Sequence, residues 1–460
     1  MDKHIFNKTI LREYDIRGIF KKDLNLIDAF YLGKSFATFL IKKKLKNVVI
    51  GYDGRHSSLQ IEKELIKGLV SKGINIYRIG LVPTPLLYFS MYSKRLDSGI
   101  MITGSHNPSN YNGFKMLLKN KSIVGKDILE IAKIASKGDF SKNKKGKIKN
   151  LSMKNKYLSF LIDSAKLKTD IKVAWDPGNG SSGEIISHLT KKLKGKHFVI
   201  NEKIDGNFPA HHPDPTIPKN LKQLVELVKR KKCDFGLAFD GDGDRLGVVD
   251  NKGNIIYADK IVAFLARDVL LKKPKSKIIL DIKSSQIVFN EIKKLNGKPI
   301  FWKTGHSLIK KKMKESKAIF AGEMSGHIFF ADEYYGFDDA IYAAIRFINL
   351  FCKLNTSLFQ IFNEMEESYN TPELRFNSTE TKKFLIVEKL KKVLKKEKKS
   401  FLSIDGVRYK INEGWWLVRA SNTQNIIVAR CESYIKKDLI KVKLNLKNYL
   451  KKCNFSTPKF

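Results

Sequence analysis

The sequence predicts a multidomain α/β protein, with three domains on one plan and a smaller fourth that departs from it. Three observations carry this. The chain has 460 residues, more than one hydrophobic core organises, so domains of about 100 to 150 residues each are expected. A strand, helix, strand, helix, strand order recurs three times along it. Each recurrence ends in a polar loop rather than a simple turn.

The first copy places strands over 48–52, 74–79 and 99–103, with a loop beginning at Gly104. The second places them over 172–175, 197–200 and 235–239, with a loop from Asp240. The third uses 277–281, 300–302 and 318–321, with a loop from Gly322. Strands alternating with helices form layers that bind ligands beyond the strand ends, so the three loops occupy equivalent places. If the three domains face a common centre, their loops meet in one cleft. The basic stretch 137–150 reads as the first linker and the turn-rich 250–254 as the second boundary. Beyond Pro372 come a Lys/Glu-rich helix, strands near 407–411 and 416–419, and a closing helix, an α+β arrangement. The expected domains are therefore 1–150, 151–254, 255–369 and 370–460.

Composition narrows the function classes. A hydrophobic fraction of 42% with 29% charged residues is globular, and no stretch approaches the ~18 to 20 apolar residues that span a bilayer. Glu13, Asp15 and Arg17 interrupt the N-terminal segment where an export signal needs an apolar run. The four cysteines, Cys233, Cys352, Cys431 and Cys453, form no CxxC pair, which fits free thiols in a cytoplasmic setting. A net charge of +41 suits an anionic partner, either a nucleic acid or a phosphorylated substrate. The lysine runs 142–149, 310–314 and 391–399 lack interleaved aromatics for base stacking, so they read as solvated surface and nucleic acid is not the expected partner.

Four loops carry the chemistry. Thr103-Gly104-Ser105-His106-Asn107-Pro108 sets a hydroxyl on a tight turn, expected to present Ser105 outward beside an anion-binding nest of amides. Asp240-Gly241-Asp242-Gly243-Asp244-Arg245 places three carboxylates at i, i+2 and i+4, which repel unless a cation neutralises them. Oxygen ligands on a compact loop favour Mg²⁺, whereas a calcium loop counted from Asp240 would need Gly at Arg245 and Glu at Asn251. Gly322-Glu323-Met324-Ser325-Gly326-His327 offers a carboxylate and a hydroxyl suited to sugar hydroxyls. Arg419-Ala420-Ser421-Asn422-Thr423 supplies a guanidinium and two hydroxyls for a phosphate.

From Arg12 to Arg430 the chain resembles the bacterial phosphomannomutase/phosphoglucomutase group of the α-D-phosphohexomutase superfamily. The matching segments are Arg12-Glu13-Tyr14-Asp15-Ile16-Arg17-Gly18, the serine loop continuing to Tyr111-Asn112-Gly113-Phe114-Lys115, the aspartate loop, Thr304-Gly305-His306-Ser307, the Glu323 loop and Arg419 to Thr423. The resemblance implies a heart-shaped four-domain enzyme that moves a phosphoryl group between the 1- and 6-positions of mannose and glucose phosphates. It implies a phosphorylated Ser105, Mg²⁺ on Asp240, Asp242, Asp244 and that phosphoserine, and a hexose 1,6-bisphosphate as intermediate and activator. Glu323 and Ser325 are then expected on the sugar, and Arg419, Ser421, Asn422, Thr423, Tyr14 and Lys283 on the distal phosphate. Lys115 is the expected proton carrier, with Arg17, Arg245, His106, His306 and His327 nearby. That role needs a lysine pKa lowered by neighbouring cations such as Arg17. Ser109-Asn110 and Gln424-Asn425 depart from the group's usual loop endings, and neither removes an expected ligand. Met324, where phosphoglucosamine mutases tend to carry Gln, favours mannose and glucose phosphates over glucosamine phosphates. A monomer is expected, and the other reading, a nucleic-acid binder on an inactive mutase scaffold, is disfavoured by the intact loops.

Overall fold

A computed structural model of the protein describes residues 2–119, 121–141, 143–167, 170–421, 425–455 and 457. The repeated plan is present three times, and each copy gains a strand that the sequence reading did not include. In the first sheet Asn47–Tyr52 lies parallel between Asn75–Leu81 and Ser98–Ile102, and Tyr111–Leu118 returns antiparallel beside Ser98–Ile102. In the second, Lys172–Asp176 lies between Lys196–Val199 and Phe235–Phe239, with Leu246–Asp250 returning. In the third, Lys277–Asp281 lies between Lys298–Trp302 and Phe320–Gly322, with Ile328–Phe330 returning. Each chemical loop joins the third parallel strand to its return strand. The first crossover sets the second strand on one side of the first strand and the next sets the third strand on its other side, and α/β sheets open a crevice where the order reverses in this way. Ser98–Ile102 and Phe235–Phe239 are buried at every position, as strands covered on both sheet faces are.

Short strands lie at the three expected boundaries. Ile148–Asn150, assigned to the first linker, pairs in parallel with Asn75–Leu81 and extends the first sheet. The turn 250–254 closes a hairpin inside the second sheet: Asp250 N–H donates to Asn254 O at 2.9 Å, and Ile255–Ile256 pairs back onto Leu246–Asp250. Tyr369–Asn370 already belongs to the last sheet, paired with Ile426–Ser433. In each case a free sheet edge recruits a short segment of low intrinsic strand signal, because the edge supplies the backbone partners.

The fourth domain is a mixed-order sheet covered by helices Glu380–Lys396 and Asp438–Lys452. Strand Gly414–Ala420 explains how it docks. Trp416, Val418 and Ala420 enter the domain's own core, whereas Trp415 and Leu417 join the large core shared by the other three domains. The same two-residue alternation sets Arg419 on the face of Trp415 and Leu417, toward the rest of the molecule. Across that contact Arg408 lies 3.6 Å from the Trp415 ring centroid and donates to Ile282 O and Ser284 O at 2.7 Å each. All four cysteines are buried, and among the described residues no helix is long and apolar enough to cross a membrane.

One buried ion-pair cluster ties the acid limb of stability to a named group. Burial opposes ionisation of Asp268, but Lys353 and Arg346, at 2.7 and 2.8 Å, outweigh it and pull its carboxyl down to about 2. A carboxyl depressed in the folded state stabilises above its unfolded pKa, and the contribution disappears as pH falls through the folded value. Between pH 5 and 2 the protein is expected to lose roughly 2 kcal/mol through this group. Urea unfolding across that range checks it, with Asp268→Asn expected to show a shallower acid limb.

Candidate active site

Ser105 does not point outward as expected; it is only 2% exposed. The loop after Ser98–Ile102 lies directly under the aspartate loop, where a Cβ on Gly241 would stand 2.5 Å from Ser105 O, so only glycine permits this approach. Ser105 itself sits at φ +49°, a backbone state uncommon for a residue with a Cβ. Its Oγ donates to Asp240 Oδ2 at 2.9 Å and lies 3.2 Å from His106 Nδ1. The expected nest of free amides does not form. Gly104 N–H donates to Asp53 Oδ2 at 3.1 Å, Ser105 N–H to Thr103 Oγ1 at 2.7 Å, and Asn107 N–H to Gly104 O at 3.0 Å.

The aspartate loop curls around its first residue. Asp240 Oδ1 accepts the N–H groups of Asp244 and Arg245 at 3.0 and 3.1 Å, and Gly243 supplies the positive φ of +74° that the turn requires. Ligand oxygens of Asp240, Asp242 and Asp244 lie within 4.8 Å of one another, and all three residues are 0% exposed. Burial and the charges of Asp244 and Asp242 push the Asp240 carboxyl well up. Asp242 and Asp244 are held ionised despite burial, chiefly by Lys115 and, for Asp244, also by His327. Asp242 Oδ1 is buried with no hydrogen-bond partner, and so is Arg17 Nε. An all-oxygen cage with an unsatisfied carboxylate oxygen fits a hard divalent cation, since buried polar atoms are otherwise nearly always paired.

Lys115, from the return strand Tyr111–Leu118, bridges Asp242 and Asp244 at 2.6 and 2.5 Å. Burial disfavours its charge, but the three aspartates outweigh burial and raise its pKa. The expectation of a lysine tuned downward by Arg17 is therefore corrected: in this arrangement carboxylates, not cations, are its nearest neighbours. Arg17 instead bonds Asp15 Oδ2 and Asn107 Oδ1, each at 2.5 Å, fastening the serine loop from the side. His106 carries the opposite shift: burial, then Arg245 and Arg17, keep its imidazole neutral. Arg245 Nη2 approaches His106 Nε2 at 3.5 Å and Arg245 Nη1 lies 3.9 Å from Asp214.

The third loop closes the site from the far side. His327 Nε2 meets Asp244 Oδ1 at 3.1 Å, and Ser325 Oγ meets His327 Nδ1 at 2.9 Å. Burial resists a charge on His327, yet Asp244 and Glu323 outweigh it and push the pKa up to about 9. His306 stacks on His327 with centroids 5.3 Å apart and lies 2.9 Å from Asp338, though burial leaves its pKa lowered. Glu323 Oε1 accepts the Gly305 N–H at 2.6 Å. The Tyr14 hydroxyl donates to Thr304 O at 3.3 Å, and the Thr304 N–H donates to Asp405 at 3.2 Å, so domains 1, 3 and 4 are joined across the cleft. Asp405 also receives Arg419 Nε at 3.0 Å, and Lys283 lies 3.6 Å from Glu373. Ser421 N–H bonds Ile426 O at 3.0 Å, while Asn422 and Thr423 fall outside the described residues.

Four contributors were missed by the sequence reading: Arg55, Thr84, Asp338 and Asp405. Thr84 Oγ1 donates to Asp242 Oδ2 at 2.6 Å from 158 residues away. No local signal marks a partner at that separation.

Family models described as phosphoglucomutase/phosphomannomutase alpha/beta/alpha domains I, II and III match residues 8–142, 154–253 and 257–369, and the C-terminal domain model matches 373–444. The chain belongs to the phosphoglucomutase/phosphomannomutase family. It is 39% identical over 450 residues to a phosphomannomutase/phosphoglucomutase of Pseudomonas aeruginosa, covering 98% of this chain and 97% of the relative. It is 39% identical to a phosphoglucomutase of Neisseria gonorrhoeae, covering 93% of each chain. A crystal structure of a phosphoglucomutase/phosphomannomutase family protein from Burkholderia thailandensis superposes with a TM-score of 0.93 at 34% identity, over 99% of both chains. In this member of the phosphoglucomutase/phosphomannomutase family the serine, aspartate and Glu323 loops meet at one buried cluster, with Lys115 and His327 contacting Asp244 from two sides.

Proposed function

We propose that the protein interconverts the 1- and 6-phosphates of mannose and glucose, with Ser105 carrying the phosphoryl group between the two positions. The observation that supports this best is the 2.9 Å contact of Ser105 Oγ with Asp240 inside a buried triad of carboxylates. In the first half-reaction the Ser105 Oγ–P bond breaks as a sugar hydroxyl oxygen bonds the phosphorus and the hydroxyl proton passes to Ser105 Oγ, giving a hexose 1,6-bisphosphate. The sugar turns over in the cleft, its other phosphate returns to Ser105 Oγ, and the isomeric monophosphate leaves. Transfer of a phosphoryl group asks the protein mainly for alignment and charge stabilisation.

Asp240, Asp242 and Asp244, with an oxygen of phosphorylated Ser105, would hold Mg²⁺. That ion supplies a Lewis acid that draws charge from the transferring group. Lys115 in its ammonium form adds a fixed positive charge, with Arg17 and Arg245 flanking. His106, neutral and 3.2 Å from Ser105 Oγ, stands with Asp240 at 2.9 Å as a side chain placed to accept a proton at that oxygen. His327, held cationic, balances Asp244, and His306 orients against Asp338. Glu323 and Ser325 serve the sugar hydroxyls, and Arg419, Ser421, Asn422, Thr423, Tyr14 and Lys283 the phosphate that does not react. Opening of domain 4 for the intermediate to reorient would part the Thr304–Asp405 contact among others.

Parallel turnover assays on mannose, glucose and glucosamine 1-phosphates test the substrate range. The first two are expected to react, with glucosamine 1-phosphate at least tenfold slower in kcat/KM, about 1.4 kcal/mol. Dominant activity on the amino sugar would overturn the assignment.

A further inference from the structure

We propose that Arg55 is a positioning residue for Ser105: its guanidinium sets the phosphoryl-carrying turn at the distance from the aspartate triad that transfer requires. The inference rests on the role given to Ser105 above. Arg55 is 3% exposed, and its hydrogen bonds go to main-chain oxygens and Asp53 rather than to the side chains assigned to substrate or metal. Nη2 donates to Ser105 O at 2.8 Å and Asn107 O at 2.6 Å, and Nη1 to Pro108 O at 2.5 Å and Tyr111 O at 3.0 Å. Three carbonyls of the serine loop and that of the first residue of its return strand thus converge on a single planar cation. Its remaining donor, Nε, goes to Asp53 Oδ2 at 3.2 Å, and Asp53 accepts the Gly104 N–H as well. A side chain at Gly104 would meet the Arg55 Cζ at 2.5 Å, so the turn is wrapped directly on the guanidinium.

The second domain presses on the same arginine. The Phe208 ring centroid lies 5.1 Å from the guanidinium, and a Cβ on Gly206 would stand 2.9 Å from Arg55 Cα. Arg55 therefore sits at the junction of the two domains that supply Ser105 and Asp240. Ser105 holds φ +49°, and inward carbonyls repel one another without a cation between them. During turnover the charge on Ser105 changes at each half-reaction, and a turn fixed only by its own hydrogen bonds would shift with that change. A lysine cannot replace this contact geometrically, because it is a point charge without the planar fork.

The test is Arg55→Lys in the full-length enzyme, with Asp53→Asn as a second variant that keeps the arginine and loosens its orientation. With glucose 1-phosphate and Mg²⁺, kcat is expected to fall roughly 10²-fold in Arg55→Lys while KM changes less than about threefold. Phosphate incorporation into Ser105 still reaches the wild-type end point. In Arg55→Ala, added guanidinium is expected to restore turnover at least tenfold. A kcat within threefold of wild type, losses carried mainly by KM, or variants that fail to fold altogether would each overturn the positioning role, the last by making the contact structural only. A wild-type enzyme without mutase turnover would instead reject the function proposed above, so the two failures are distinguishable.

Discussion

Turnover of Ser105→Ala is expected to fall by about 10³-fold or more, and the protein to lose the phosphate it otherwise incorporates. A covalent carrier has no substitute: removing Oγ removes the atom that forms and breaks the bond to phosphorus, and neighbouring charges alone recover only part of the acceleration. His106 and Lys115 cannot take over, since one is bonded toward Arg245 and the other is spanned by Asp242 and Asp244. The fold is expected to survive, because alanine tolerates φ near +49° about as well as serine and the buried turn is held by Arg55 rather than by the hydroxyl. Intact mass after incubation with glucose 1,6-bisphosphate reads the phosphate, and a coupled assay reads turnover. Unchanged turnover would reject the assignment of Ser105.

The second large effect has opposite signs for stability and for activity. In chelator, Asp240→Asn is expected to unfold at a higher temperature than wild type, while its turnover is nearly abolished. Three buried carboxylates within 4.8 Å share one lysine, one histidine and the Arg245 guanidinium at 4.0 Å, yet burial with the two like charges makes Asp240 the least favourable of the three to ionise. Asparagine relieves that repulsion and keeps an acceptor for the Asp244 and Arg245 amides. With Mg²⁺ the order reverses. A ligand that binds only the folded state stabilises by about 2.7 kcal/mol at a hundredfold excess over Kd. Wild type gains this and the variant does not. Thermal unfolding with and without Mg²⁺ measures both, and a variant less stable in chelator with an intact Mg²⁺ response would contradict the proposed cation site.

Much of the architecture was legible because its signals are local. A run such as Phe235–Phe239 followed by carboxylates at every second residue needs no distant partner to be recognised, and Gly243 announces its turn by lacking a Cβ. The strand cores of all three repeats fall within two residues of expectation for the same reason. Short edge strands were not legible: Ile148–Asn150 becomes a strand only because Asn75–Leu81 offers it an edge.

The residue types and spacing of the sequence determined by themselves that a hydroxyl turn, an acidic triad and a carboxylate-hydroxyl loop would stand at equivalent strand ends. Tertiary structure alone decided which atoms face each other: that Ser105 is buried against Asp240 from 135 residues away, that Lys115 is held charged by Asp242 and Asp244 rather than tuned downward, and that Arg55 gathers the carbonyls of a loop 50 residues on. Backbone conformation is chosen over a few neighbours, whereas burial and electrostatic environment are sums over every group brought close by folding.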